Sequence, residues 1–152
     1  SRANYINFFM DASKFDKNYK DMLFANKLMT KFLENEDPKE REYYHIYQSY
    51  IDLAQFQFDK NDWLGAIENY KLAIKYLREQ EQIYGDDYAD STEGWILRNL
   101  FAAKWNHKEN GDKMGACEDL RLASTLNADC IFIKPFVTIS HSCVARHVNF
   151  SP

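Results

Sequence analysis

The residues best equipped for chemistry lie near the end of the chain. His141, Cys143 and His147 form an H-x-C-x₃-H set, with Cys130 upstream. Soft nitrogen and sulfur ligands at such spacing are those that hold zinc. The set lacks the C-x₂-C knuckle that anchors most such sites, and it sits in an apolar stretch, so the expectation is no metal. Cys117 has no histidine at a readable distance and stands beside Glu118, which disfavours a thiolate. It reads as a small buried thiol rather than a nucleophile. Asp86, Asp87 and Asp90 lack the spacing and terminal glutamate of an EF-hand loop. No phosphate-binding glycine loop, nucleophile elbow or H-E-x-x-H helix occurs. The chain is therefore expected to be non-catalytic and to need no cofactor.

Composition narrows the partner classes. A formal net charge of −4 lends no support to nucleic-acid binding through a basic face, and none is expected. No apolar run approaches the ~18 residues that span a bilayer. Three cysteines are too few, and odd in number, for a disulfide framework. This favours a reducing, cytoplasmic compartment, with one bridge plus a free thiol as the alternative.

The elements that must position any site are helical. Only five glycines and three prolines punctuate 152 residues, so long helices are favoured over many short strands. Tyr43, Tyr47, Tyr50, Ala54 and Phe58 recur at steps of three and four and predict one helix face. Asp62 is a natural N-cap for the next helix and Gly85 its natural stop. Asp90 with Glu93 reads as a capping box for a further helix. Asn110-Gly111-Asp112 ends that helix and caps another that runs to about Leu126. Upstream, residues 4–14 and 19–33 form a first pair around the turn Phe15-Asp16-Lys17-Asn18. Pro38 is expected near the first turn of the helix that follows. Three hairpins result, at about 4–34, 41–84 and 93–126, in one domain over 1–126.

Two of the hairpins carry the same text. "NDWLGAIENYKLAI" at 61–74 and "GDKMGACEDLRLAS" at 111–124 share Asp62/Asp112, Gly65/Gly115, Ala66/Ala116, Glu68/Glu118, Leu72/Leu122 and Ala73/Ala123. Small residues at Gly65-Ala66 and Gly115-Ala116 would let helices cross at about 8–10 Å. With Tyr70, Ala73, Leu120 and Ala123, this pattern resembles the second helix of the tetratricopeptide repeat. The counterparts in the first pair are Met22, Asn26 and Met29. Spacings of 44 and 50 residues between Met22, Ala66 and Ala116 exceed the usual period of about 34, which resembles the long-helix variety.

The resemblance implies an all-α, right-handed superhelical solenoid of about three antiparallel hairpins. It also implies a concave groove lined by the first helix of each hairpin, where a peptide or partner protein binds. Carried over position by position, the groove takes Asn4, Asn7 and Asp11 from the first hairpin. The second supplies Gln48, Ile51, Gln55 and Phe58, and the third Arg98, Phe101, Trp105 and Lys108. Phe101 and Trp105 have ordinary core as their competing reading. The function expected is a protein-interaction scaffold; the alternative is a sensor or regulatory domain binding a short peptide or small signal. The tail at 127–152 leaves the repeat pattern. No polar-faced capping helix seals the array there, which favours either self-association through the C-terminal end or a further repeat downstream.

Overall fold

A computed structural model describes residues 2–85, 89–107 and 113–126. These form six α-helices and, among the described residues, no strand. The chain is all-α. No helix among them is long and apolar enough to cross a membrane. The chain divides into two compact units, residues 1–86 and 87–152.

The first unit holds α1 (Arg2–Phe15), α2 (Tyr19–Glu34), α3 (Tyr43–Asp59) and α4 (Trp63–Tyr84). Its two hairpins turn by one device. After α1, Lys17 takes a left-handed backbone (φ 53°). The amides of Asn18 and Lys17 then bond back to the Ser13 and Lys14 carbonyls at 2.9 and 3.1 Å. After α3, Asn61 is left-handed (φ 60°). The amides of Asp62 and Asn61 bond to the Gln57 and Phe58 carbonyls at 2.9 and 3.0 Å. Both are Schellman closures, which satisfy carbonyls a helix end leaves orphaned. In each, the next residue caps the following helix. Asn18 Oδ1 accepts from the Asp21 amide, and Asp62 Oδ1 from the Gly65 amide. A left-handed residue followed by an Asx cap turns the chain within three residues.

Lysine is a poor occupant of that backbone. A left-handed L-residue is strained by roughly 1–2 kcal/mol, and glycine's extra unfolded freedom takes back only ~0.5–1. Lys17→Gly should therefore stabilise the fold by up to ~1 kcal/mol in urea unfolding. Asn61→Gly should gain less, because asparagine tolerates the conformation.

The core of this unit is aliphatic and sulfur-rich. Met10, Met22, Met29, Leu33, Ile46, Leu53 and Leu77 are buried with Tyr70. Ala25, Ala54, Ala66 and Ala73 are fully closed to solvent where helices approach. α3 packs chiefly on α4, and also on α2 and α1. Asn26 stands at a core position of α2 because its amide donates to Ser49 Oγ at 2.8 Å, and Ser49 donates to the Ile46 carbonyl at 2.7 Å. A buried amide is tolerable only when so paired.

Residues 35–42 connect the hairpins, and Pro38 lies in this connector rather than in the first turn of α3, which begins at Tyr43. The connector is held by side chains. Arg41 reaches back to the end of α2: Nε donates to the Leu33 carbonyl at 2.9 Å, and Nη2 to those of Glu34 and Glu36 at 3.0 and 3.3 Å. Its guanidinium lies over the Tyr43 ring and 4.0 Å from Glu79. The Tyr84 hydroxyl donates to the Lys39 carbonyl at 2.5 Å. The length of α4 beyond Leu77 thus has a use, since Glu79 and Tyr84 lie on it. The helix stops at Gly85, whose φ of 65° and ψ of 48° are left-handed.

The second unit holds α5 (Ala89–Asn106) and α6 (Lys113–Leu126). α5 starts at Ala89, so Asp90 lies inside the first turn and not at the cap that its spacing with Glu93 predicts. Ile96, Leu97, Leu100, Phe101 and Ala103 of α5, and Ala116, Cys117, Leu120 and Ala123 of α6, are buried. Lys104, at a position where the repeat pattern expects a small residue, pairs with Asp119 at 2.6 Å. Cys117 is disulfide-bonded, not the free thiol its neighbours suggest. This removes the cysteine argument for a reducing compartment. Cys130, Cys143 and the two tail histidines lie outside the described residues, as do Asn110-Gly111-Asp112 and the tail's expected self-association surface.

Candidate functional site

The face shared by α1 and α3 carries the polar chemistry of the first unit. On α3, Gln48, Asp52, Gln55 and Asp59 follow one another at helical steps and share a side. On α1, Asp11 and Lys14 do the same. Asp52 is the centre. Its side chain is 8% exposed, yet it carries a carboxylate. Lys14 Nζ lies 2.9 Å from Oδ1, and Gln48 Nε2 donates to the same oxygen at 3.1 Å. Burial raises the Asp52 pKa above the ordinary carboxylate value. The Lys14 and Gln48 contacts oppose this only in part, and nearby Asp11 adds to the rise. Gln55 Nε2 donates to Asp59 at 3.4 Å. The lysine that pairs with Asp52 has a side chain 42% exposed.

A raised acid pKa has a defined effect on stability. The contribution of Asp52 is fully present below the ordinary carboxylate value of about 4 and is lost as pH rises through the higher folded value. Asp52→Asn should flatten that slope. Asparagine keeps the acceptor for Gln48, and the released Lys14 can rehydrate. At pH 7 the variant should match or exceed wild type, to within ~1 kcal/mol. Below pH 4 it should show no advantage. Urea unfolding at pH 4 and pH 7 measures both.

The groove residues read from sequence fall into two groups. Gln48 and Gln55 lie on the α1/α3 face, half-buried and bonded to its carboxylates. Phe58 is half-buried against Trp63, edge to face at 5.1 Å. Ile51 is buried and offers a ligand little surface. In the second unit Arg98 is half-buried. Phe101 is core, 1% exposed, packed with Ala116 and Leu120. Trp105 is half-buried, with its ring 5.8 Å from Phe101. Lys108 lies outside the described residues. Sequence reasoning passed over Asp52 and Lys14. The available signal was a lone acid in the apolar run Ile51-Asp52-Leu53-Ala54, four residues after Gln48.

The structural repeat positions separate in a similar way. Ala66, Tyr70, Ala73, Ala116, Leu120 and Ala123 are all buried. Gly65 is only half-buried, and its lack of a side chain serves a polar knot. A Cβ there would lie 2.2 Å from Gln57 Nε2 and 2.4 Å from Asp62 Oδ2. Gly115 is half-buried on α6.

A second feature is an open cleft of about 360 Å³ lined by α2 and by Tyr50 of α3, including Asn26, Thr30, Lys31 and Glu34. Tyr50 stacks on Tyr76 of α4 at 5.7 Å. The Tyr76 hydroxyl donates to Glu34. Burial, and then that bond to Glu34, push its pKa well above the ordinary phenol value. Such a hydroxyl keeps its proton and serves as a joint between helices. No group of three or more potential metal ligands occurs among the described residues. Compared with known protein families, characterised proteins and solved structures, the chain shows no significant match.

Proposed function

We propose that this chain is a tetratricopeptide-like scaffold, a solenoid of about three helical hairpins without catalysis of its own. It binds a peptide or partner protein along the face of its first helices. Three features support the architecture: the shared left-handed-plus-Asx turn, the alanines at helix approaches, and the seating of α3 against both members of the preceding hairpin.

The observation that carries the functional reading is Asp52. A carboxylate kept where burial disfavours its charge is typical of sites that use the charge. Lys14 neutralises it from a half-open position. An incoming lysine or arginine side chain can take over that role while Gln48, Gln55 and Asp11 hold the neighbouring backbone. The preferred partner segment is therefore cationic. In the second unit, Arg98 and Trp105 are the candidate contacts.

Affinity capture from the source cells tests this. The tagged chain should retain a specific partner, Asp52→Asn should lose it, and Arg98→Glu or Trp105→Ala should weaken it. Capture unchanged by all three, with helicity intact, would show that the first-helix face is not the binding surface.

A further inference from the structure

α1 has an outer face that neither its core packing nor the proposed groove uses. Ile6, Met10 and Ser13 turn inward. Asp11 and Lys14 flank the α3 side. On the remaining arc Tyr5, Phe8, Ala12 and Phe15 follow at steps of three and four, with no charged residue among them. Tyr5, Phe8 and Phe15 are 80%, 75% and 88% exposed. Phe24 of α2, 58% exposed, extends the patch, and Leu28 lies one turn further along that helix. Phe9 and Phe24 meet edge to face at 6.3 Å, joining the two halves.

The size of this patch is informative. With aromatic side chains offering roughly 150–250 Å² each, five partly exposed rings present on the order of 500–850 Å². The largest apolar patch on an ordinary monomer is about 300–600 Å². A stable interface removes about 800 Å² from each partner. The patch is thus at the scale of one side of a standard interface. The aromatic positions are uncharged, while their surroundings carry both signs, in Asp11, Asp16 and Asp21 and in Lys17 and Lys20. A surface of this kind does not repel its own copy, and a two-fold axis through it would bury all five rings twice.

We infer that the outer α1/α2 face is a self-association surface, occupied by the same face of a second copy of this chain. On α1 its arc is distinct from that of Lys14, and Asp11, one turn from both Phe8 and Phe15, marks the border between them. Dimer formation and partner capture can therefore fail separately.

Sedimentation velocity of the full chain from about 1 to 100 µM tests the inference. The expected result is a reversible monomer–dimer equilibrium in that range. Phe8→Glu with Phe15→Glu should weaken it at least about 100-fold, since buried unpaired carboxylates would face the partner. Phe24→Glu with Leu28→Glu, on the other helix, should also weaken it. All four positions are substantially exposed, so circular dichroism and melting temperature should match wild type in both variants. A chain that stays monomeric through 100 µM overturns the inference, as does a dimer that persists unchanged in both variants. A monomer that instead co-floats with anionic phospholipid vesicles would assign the face to a lipid surface and overturn it too.

Discussion

Arg41→Ala should destabilise the chain by about 2–4 kcal/mol, measured by urea unfolding at 222 nm. The side chain donates to three carbonyls, those of Leu33 and Glu34 at the end of α2 and that of Glu36 in the connector. The Leu33 and Glu34 carbonyls lie in the last turn, where a helix supplies no intrahelical donor, although the Leu33 carbonyl also accepts from the Glu36 amide at 3.1 Å. Charge-assisted bonds of this kind contribute about 1.5–3 kcal/mol each when measured singly. They share one side chain, so their losses do not add. The truncation also removes the ion contact to Glu79 and the stacking on Tyr43. Arg41→Lys should recover only a part, because a single ammonium cannot span the fork of carbonyls. A loss under ~0.5 kcal/mol for the alanine variant would mean that the connector is not held by this residue.

Gly65→Ala should destabilise by about 1–3 kcal/mol, against the usual helical preference for alanine. Helix propensity alone predicts a gain of ~1 kcal/mol for removing the glycine. The local geometry opposes it. The new methyl carbon would sit within 2.7 Å of Gln57 Cδ and closer still to its amide nitrogen. A flexible side chain could swing away, but Gln57 is tied at both ends. Its Nε2 donates to the Tyr19 hydroxyl and to Asp62 Oδ2, each at 3.2 Å, and its Oε1 accepts from Asn69 at 2.6 Å. Overpacking costs typically ~1–3 kcal/mol, and the displaced bonds add to it. The decisive comparison is the double variant. Gly65→Ala in a Gln57→Ala background should cost far less than in wild type, giving a coupling of at least ~1 kcal/mol. Additive losses would place the cause of the glycine elsewhere.

These two residues also mark where sequence reading stops. The caps of α4 were legible because Asp62 and Gly85 act on their own neighbours, three and four residues away. The stripe Tyr43, Tyr47, Tyr50, Ala54 and Phe58 was legible in part because helical periodicity is local: Tyr43, Tyr47 and Ala54 are buried, while Tyr50 and Phe58 are half-buried. Arg41 reads as the opening of α3, and its real partners depend on how the connector folds back. Gly65 reads as a crossing-point residue. Its neighbour Gln57 lies eight positions earlier on another helix, a relation the one-dimensional pattern does not carry. Lys17 hid the kinship of the first turn with the second, because lysine is not a residue expected at positive φ. The burial of Asp52 arises from α1 and α3 lying side by side, so no window along α3 alone could reveal it. The helical class follows from local rules, whereas each candidate contact depends on contacts between helices.

The central claim is that the α1/α3 face binds a cationic segment. The most direct test is amide chemical-shift mapping of the full chain titrated with a library of Lys- and Arg-containing decapeptides. The expected result is a saturable set of shifts centred on Asp11, Lys14, Gln48, Asp52 and Gln55, absent in Asp52→Asn. Shifts confined to the opposite cleft, around Lys31, Glu34 and Tyr50, or no shifts at millimolar peptide, would contradict the account.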